Sequence, residues 1–119
     1  KGYRLYKRSN VEFVSNIQFP SYPKGMSMEM MNVNTLIKLK KLKLNKKDKE
    51  HVTRAIYKNK RKFKIRNFSH MKNLRNYKFA LDFPREINYF RKIYSLLVKK
   101  KINRKFALSD LINLMKEID

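Results

Sequence analysis

Between Arg54 and Lys78 the chain runs through Lys and Arg residues without one Asp or Glu, and that stretch limits what the molecule can fold into. Its bases have to reach solvent or an anionic partner. Only the interleaved Ile56, Tyr57, Phe63, Ile65, Phe68, Met71, Leu74 and Tyr77 are left to turn inward. Over the whole 119 residues, 31 Lys and Arg stand against 9 Asp and Glu, a net charge of +22. At physiological salt the Debye length is about 8 Å, so exposed like charges at this density repel one another. A polyanion lying against the basic surface would relieve that repulsion, and the composition therefore points to nucleic acid.

The same composition argues against several chemistries. Cysteine is absent, which removes disulfides, thiolate metal ligands and cysteine nucleophiles. The two glycines, Gly2 and Gly25, are too far apart to form a phosphate-cradling glycine loop. No apolar run approaches the roughly 18 residues that suggest a membrane span, so no transmembrane segment is expected. Asp48, Glu50 and His51 are neighbours, but a single imidazole among flexible carboxylates does not make a metal site. The methionines Met26, Met28, Met30 and Met31 read as packing. His70 has no acid or nucleophile in a recognisable arrangement around it. No cofactor, metal, small-molecule substrate or catalytic residue is expected, and the chain reads as a non-enzyme.

Local patterns predict a mainly α fold of three to four helices with an extended N-terminal arm. Residues 1–32 lack a sustained helical period and end in the turn-rich FPSYPKG, where Pro20 and Pro23 hold the preceding residues extended. They read as the arm, with short alternating runs around Tyr3 and Leu5 and around Val11 and Phe13. Residues 33–119 read as a basic helical domain. Asn32 or Asn34 caps a helix over 33–44, for which a strand is the competing reading of LIKLKKLKL. Asn45 opens a second helix, with Asp48 and Glu50 in its first turns and bases at its far end. RKFKI, residues 61–65, alternates like an extended segment, and Ser69 caps a short helix to Asn76. The clearest helix begins at Pro84, carries Ile87, Phe90, Ile93, Tyr94, Leu97 and Val98 on one stripe, and has Glu86 placed to reach back to free amides. The last helix, with Leu108, Leu111, Ile112, Met115 and Ile118 at helical spacing, is the least basic because of Asp110, Glu117 and Asp119.

Together these features predict a structural rRNA-binding protein of a ribosome. Arg54, Lys58, Lys60, Arg61, Lys62, Lys64, Arg66, Lys72, Arg75, Lys78, Lys99, Lys100, Lys101, Arg104 and Lys105 are the expected phosphate contacts. Phe63, Phe68 and Tyr77 are the rings available for stacking on unpaired bases. The helices between Pro84 and Ile118 are expected to meet neighbouring ribosomal proteins. A first residue other than Met fits a removed presequence and hence a mitochondrial matrix ribosome, with a cytosolic ribosome as the alternative. Two further readings stay open: a small basic accessory subunit of a membrane-associated organellar complex, and a DNA-binding protein. The last helix, DLINLMKEID, lacks the Arg, Asn and Gln pattern by which a recognition helix reads base edges, which weighs against DNA.

Overall fold

The computed structural model describes residues 1–102 and 106–118, and they form two units, Lys1–Lys78 and a second from Phe79 onward. In the first unit a short helix α1 (Gly2–Arg8) precedes strand β1 (Phe13–Ser15), strand β2 (Glu29–Met31) and helices α2 (Val33–Lys40), α3 (Lys46–Glu50) and α4 (Arg54–Lys58). A single 3-10 turn, Lys60–Lys62, then leads into strand β3 (Ile65–Asn67). The strands make one mixed sheet in the order β2-β1-β3. β1 runs antiparallel to β2, pairing Phe13 with Met31 and Ser15 with Glu29, and parallel to β3, pairing Phe13 with Ile65 and Ser15 with Asn67. A parallel pair cannot be closed by a tight turn, and α2, α3 and α4 lie in the crossover between its strands.

This is an α/β fold, and it corrects the expectation of a mainly α domain with an extended arm. Residues 1–32 carry a helix and two strands, and β1 is the central strand of the sheet. All three residues of β1 are buried, so Phe-Val-Ser shows none of the polar alternation that marks a half-exposed strand. Each strand is only three residues long, too short to register a period.

The core of this unit gathers Phe13, Leu39, Ala55, Ile56 and Phe63, with Met31, Leu42, Leu44, Tyr57 and Ile65 packed around them. Phe13 and Tyr57 meet edge to face, ring centres 5.6 Å apart. The caps follow from the sequence. Asn32 Oδ1 accepts from the Thr35 amide at 2.8 Å, and Asn45 and Asp48 form a reciprocal capping box. The expected single helix after Asn45 is divided at His51, whose backbone (φ −113°, ψ 81°) leaves the helical region and separates α3 from α4.

No helix forms over 69–76, and the hydrogen bonds say why. The His70 amide donates to Ser21 Oγ, the Leu74 amide to the Ser21 carbonyl, the Lys72 amide to His70 Nδ1 and the Arg75 amide to Asn73 Oδ1. Acceptors outside a helical ladder have taken the amides that a helix would use.

In the second unit a 3-10 turn, Pro84–Glu86, leads into α5 (Ile87–Lys99), and α6 (Leu108–Ile118) packs against α5. Glu86 Oε2 accepts from the amides of Asp82 and Phe83 at 2.8 and 3.1 Å, the reach-back that its position beside Pro84 implied. Of the two expected stripes, Ile93, Ile112 and Met115 are buried, whereas Tyr94 and Val98 are exposed. Among the described residues, no helix is long and apolar enough to cross a membrane.

Candidate functional site

One concavity of the first unit lies between two loops that have little regular structure of their own. One runs from Asn16 to Met28 and the other from Phe68 to Lys78. Asn16, at the end of β1, is buried and fixes the first loop, its Nδ2 donating to the Met26 carbonyl at 2.8 Å and its Oδ1 accepting from the Met28 amide at 2.7 Å. Within that frame Pro23-Lys24-Gly25-Met26 makes a tight turn closed by a 3.1 Å bond from the Met26 amide to the Pro23 carbonyl. Gly25 has φ 89°, the left-handed value that the third position of a type II turn demands. Lys24 therefore stands at the apex. Its amide donates to the Tyr77 carbonyl at 2.9 Å, and together with the Ser21 bonds to His70 and Leu74 this ties the two loops to each other.

The cleft they enclose has a volume of about 330 Å³, with Asn16, Pro20, Tyr22, Lys24, Met26 and Arg75 among the residues around it. That is at the lower end of the sizes that hold small molecules. Tyr22 is held edge-on by Phe68 and His70, with ring centres at 5.6 and 5.4 Å, and burial pushes its phenol pKa up. Neither Lys24 nor Arg75 has an ion-pair partner among the described residues, and no carboxylate lines the cleft.

A second polar group lies behind the sheet. Ser15 Oγ and the Tyr57 hydroxyl are 2.7 Å apart, the Tyr57 hydroxyl is 2.7 Å from Glu29 Oε1, and Thr53 Oγ1 donates to Glu29 Oε2 at 2.9 Å. Burial, and then the Glu29 carboxylate, raise the Tyr57 pKa, so this phenol stays protonated and acts as a strut joining β1, β2 and α4.

The expected phosphate contacts are distributed over several surfaces. Arg54 and Lys58 turn to Asp48, at 3.7 and 2.8 Å, and the Lys58 bond is the main cause that holds the Asp48 carboxyl below its ordinary pKa. Lys60, Arg61 and Lys62 are exposed on the 3-10 turn, where with Tyr57 and Asn59 they line a shallow concavity of about 370 Å³. Lys64 and Arg66 are exposed along β3, Lys72 and Arg75 are exposed on the second loop, and Lys78 ends it half-buried. Lys99, Lys100 and Lys101 belong to the other unit, where Lys100 pairs with Glu117. Arg104 and Lys105 lie outside the described residues.

The three rings chosen for base stacking are engaged within the protein. Phe63 is a core residue with Lys38 Nζ 4.9 Å from its ring centre, Phe68 is buried against Tyr22, and Tyr77 is half-buried. Of the residues around the cleft only Arg75 stood out in the sequence. Tyr22 and Lys24 were passed over, although Pro-Lys-Gly is a turn signal that puts the lysine at an apex. Among the described residues, no cluster of three or more His, Asp and Glu is placed to hold a metal ion.

No protein-family model matches the chain, and no curated protein matches it. Among solved structures it is similar to a cytidylyltransferase from Leptospira borgpetersenii serovar Hardjo-bovis (strain JB197), with a TM-score of 0.77 and 22% identity over 96% of this chain and 46% of that one. The chain thus spans less than half the length of the enzyme whose fold it shares.

That likeness corrects the expectations of a structural ribosomal protein and of a non-enzyme, because the fold is one found in a nucleotidyltransferase-type enzyme. Two steps of the sequence argument account for the error. A basic balance selects for anions in general and does not single out RNA. The reading as a non-enzyme was also drawn from residues that match under half of the similar enzyme's length.

Proposed function

We propose that this chain is part of a cytidylyltransferase-type enzyme, which transfers a cytidylyl group from a cytidine nucleotide to an acceptor. The observation that carries this reading is the shared fold, matched over 96% of the chain at a TM-score of 0.77. On this reading the remaining fold is supplied by further polypeptide or by a second chain, and the cleft between the 16–28 and 68–78 loops is where a small substrate sits. The net charge of +22 then serves to draw anionic substrates toward the site, an effect that weakens as salt rises.

The test is nucleotide selectivity. The full-length protein, titrated calorimetrically with the magnesium salts of CTP, UTP, ATP and GTP, should bind CTP at least tenfold more tightly than the purine nucleotides. Equal affinity for all four, or no heat with any, would overturn the proposal.

A further inference from the structure

We infer that a groove between α2 and α3 is a docking site for a partner protein that presents an acidic amphipathic helix, with the helix's apolar side chains seated in the groove and its carboxylates on the lysines around it. The groove shares no lining residue with the cleft between the two loops, and the inference does not depend on the cytidylyl-transfer reading. Its volume is about 360 Å³, and Leu36, Ile37, Leu39, Leu44 and Val52 give it an apolar lining. Leu39 is buried, but Leu36, Ile37 and Val52 are 46%, 49% and 47% exposed. Val33 is 71% exposed, and its place three and four residues before Leu36 and Ile37 carries the apolar face back along α2. A contiguous apolar patch rimmed by charge marks an interaction site.

The local sequence builds and fixes this groove. In α2, Thr35 and Leu39 are one turn apart and both buried, so Leu36, Ile37 and Lys40 are carried outward beside them. Asn32 caps the start of α2, and Lys38 Nζ ties the helix to the segment ahead of β1 by donating to Glu12 Oε1 at 2.8 Å. α3 is held by the capping box of Asn45 and Asp48 and by the 2.8 Å bond from Lys58 to the buried Asp48 carboxylate. A surface already fixed by such bonds has little ordering left to lose when a partner binds.

Charge decides the occupant. Seven of the twelve residues from Lys38 to Lys49 are lysine and none is arginine. Lys40 and Lys49 line the groove itself, and Lys41, Lys43, Lys46 and Lys47 are exposed on the same stretch of chain. The one acid among them, Asp48, is engaged by Lys58 and Arg54. A partner that fills the apolar groove therefore does best when it brings negative charge to the rim. An amphipathic helix supplies both, with anchors three and four residues apart on one face and carboxylates on its flanks. Lysines on flexible stems can follow carboxylates at several positions, whereas an arginine fork would specify one geometry. A nucleic acid would satisfy the lysines but has no aliphatic side chain for the groove. A bilayer surface has none projecting from it either.

The probe is a fluorescent peptide of about 15 residues, long enough to hold a helix, with Leu along one face and Glu on the others. A matched peptide has Ala for each Leu and the same charge. Fluorescence anisotropy with the full-length protein at ~0.15 M salt should show the Leu peptide binding at least tenfold more tightly than the Ala peptide. Leu36→Ser and Ile37→Ser should each weaken it at least fivefold, and Lys40→Gln/Lys49→Gln should weaken it and flatten its salt dependence. Lys7→Gln, at an exposed lysine of α1 that does not line the groove, should change it less than twofold. All the altered side chains are exposed, and circular dichroism verifies that each variant folds. In the unaltered protein, amide NMR shift changes on adding the Leu peptide should centre on residues 36–52, a reading that needs no variant.

Equal binding of the two peptides, binding of neither, shift changes centred elsewhere, or an equal loss in Lys7→Gln would each overturn the inference. Vesicles of phosphatidylserine and phosphatidylcholine form the last arm. If they bind where the peptide does not, and Leu36→Ser and Ile37→Ser abolish that binding, the face is a membrane surface and the inference fails.

Discussion

Replacing Tyr57 with Phe tests how the sheet is held to the helices behind it. Ser15 Oγ already accepts from the Ile17 amide at 2.9 Å, so its own proton goes to the Tyr57 oxygen at 2.7 Å, and the Tyr57 proton goes to Glu29 at 2.7 Å. Phenylalanine leaves the ring packed on Phe13 but strands the Ser15 hydroxyl, whose residue is 0% exposed. A buried donor without an acceptor costs about 1–3 kcal/mol. Glu29 is half-exposed and keeps its bond from Thr53, so its loss is the smaller part. A total near 2 kcal/mol corresponds to roughly a 30-fold change in an opening equilibrium.

The assay is amide hydrogen exchange in the full-length protein, read at the amides of Phe13, Asn16 and Phe68, which bond to Lys64, Met28 and Ser15 carbonyls respectively. Where exchange reports the opening equilibrium, these amides should exchange about 30-fold faster. Removing the stranded hydroxyl as well, in Ser15→Ala/Tyr57→Phe, should return part of that loss: both halves of the Ser15–Tyr57 bond are then gone, while the Ile17 amide exchanges Ser15 Oγ for water. A change of less than threefold in the single variant, or a double variant that simply sums two losses, would refute the strut.

Other perturbations follow from the same structure. Ile56→Ala, at a fully buried core position, should cost about 2–5 kcal/mol in denaturant unfolding of the full-length protein. Gly25→Ala forces a side chain into a backbone with φ 89°, and should cost about 1–2 kcal/mol in the same unfolding assay. The Glu12 carboxyl is held below its usual range, first by the bond from Lys38 at 2.8 Å and then by the Lys64 amide. A depressed carboxyl pKa stabilises the fold above the unfolded value of 4.5 and loses that stabilisation as pH falls through the folded value. Urea midpoints between pH 5 and pH 3 should therefore drop less steeply in Glu12→Gln than in the unaltered protein.

How much of this was legible in the sequence divides by the range of the interactions. Caps at Asn32, Asn45 and Glu86 were readable because the acceptor and the amide it serves lie within four residues of each other. The α5 and α6 helices were readable from their periodic apolar stripes. The sheet was not, because its parallel pairing joins Phe13 to Ile65 and is specified by burial rather than by local pattern. The false helix over 69–76 has the same origin: Ser21, far off in sequence, takes the amides of His70 and Leu74. The cleft shows the mixture most plainly. Lys24 could be placed by its turn, Arg75 was visible as a base, and nothing local said that the two would line one cavity.

Transfer itself is the most direct test of the enzyme assignment. The full-length protein is incubated with magnesium and CTP labelled either at the α- or at the γ-phosphorus, using a small-molecule extract of the source cells as acceptor. The α label should move into a new organic phosphate while the γ label leaves as pyrophosphate, in equal amounts. CTP left intact, or both labels released without a cytidylyl product, would contradict the account.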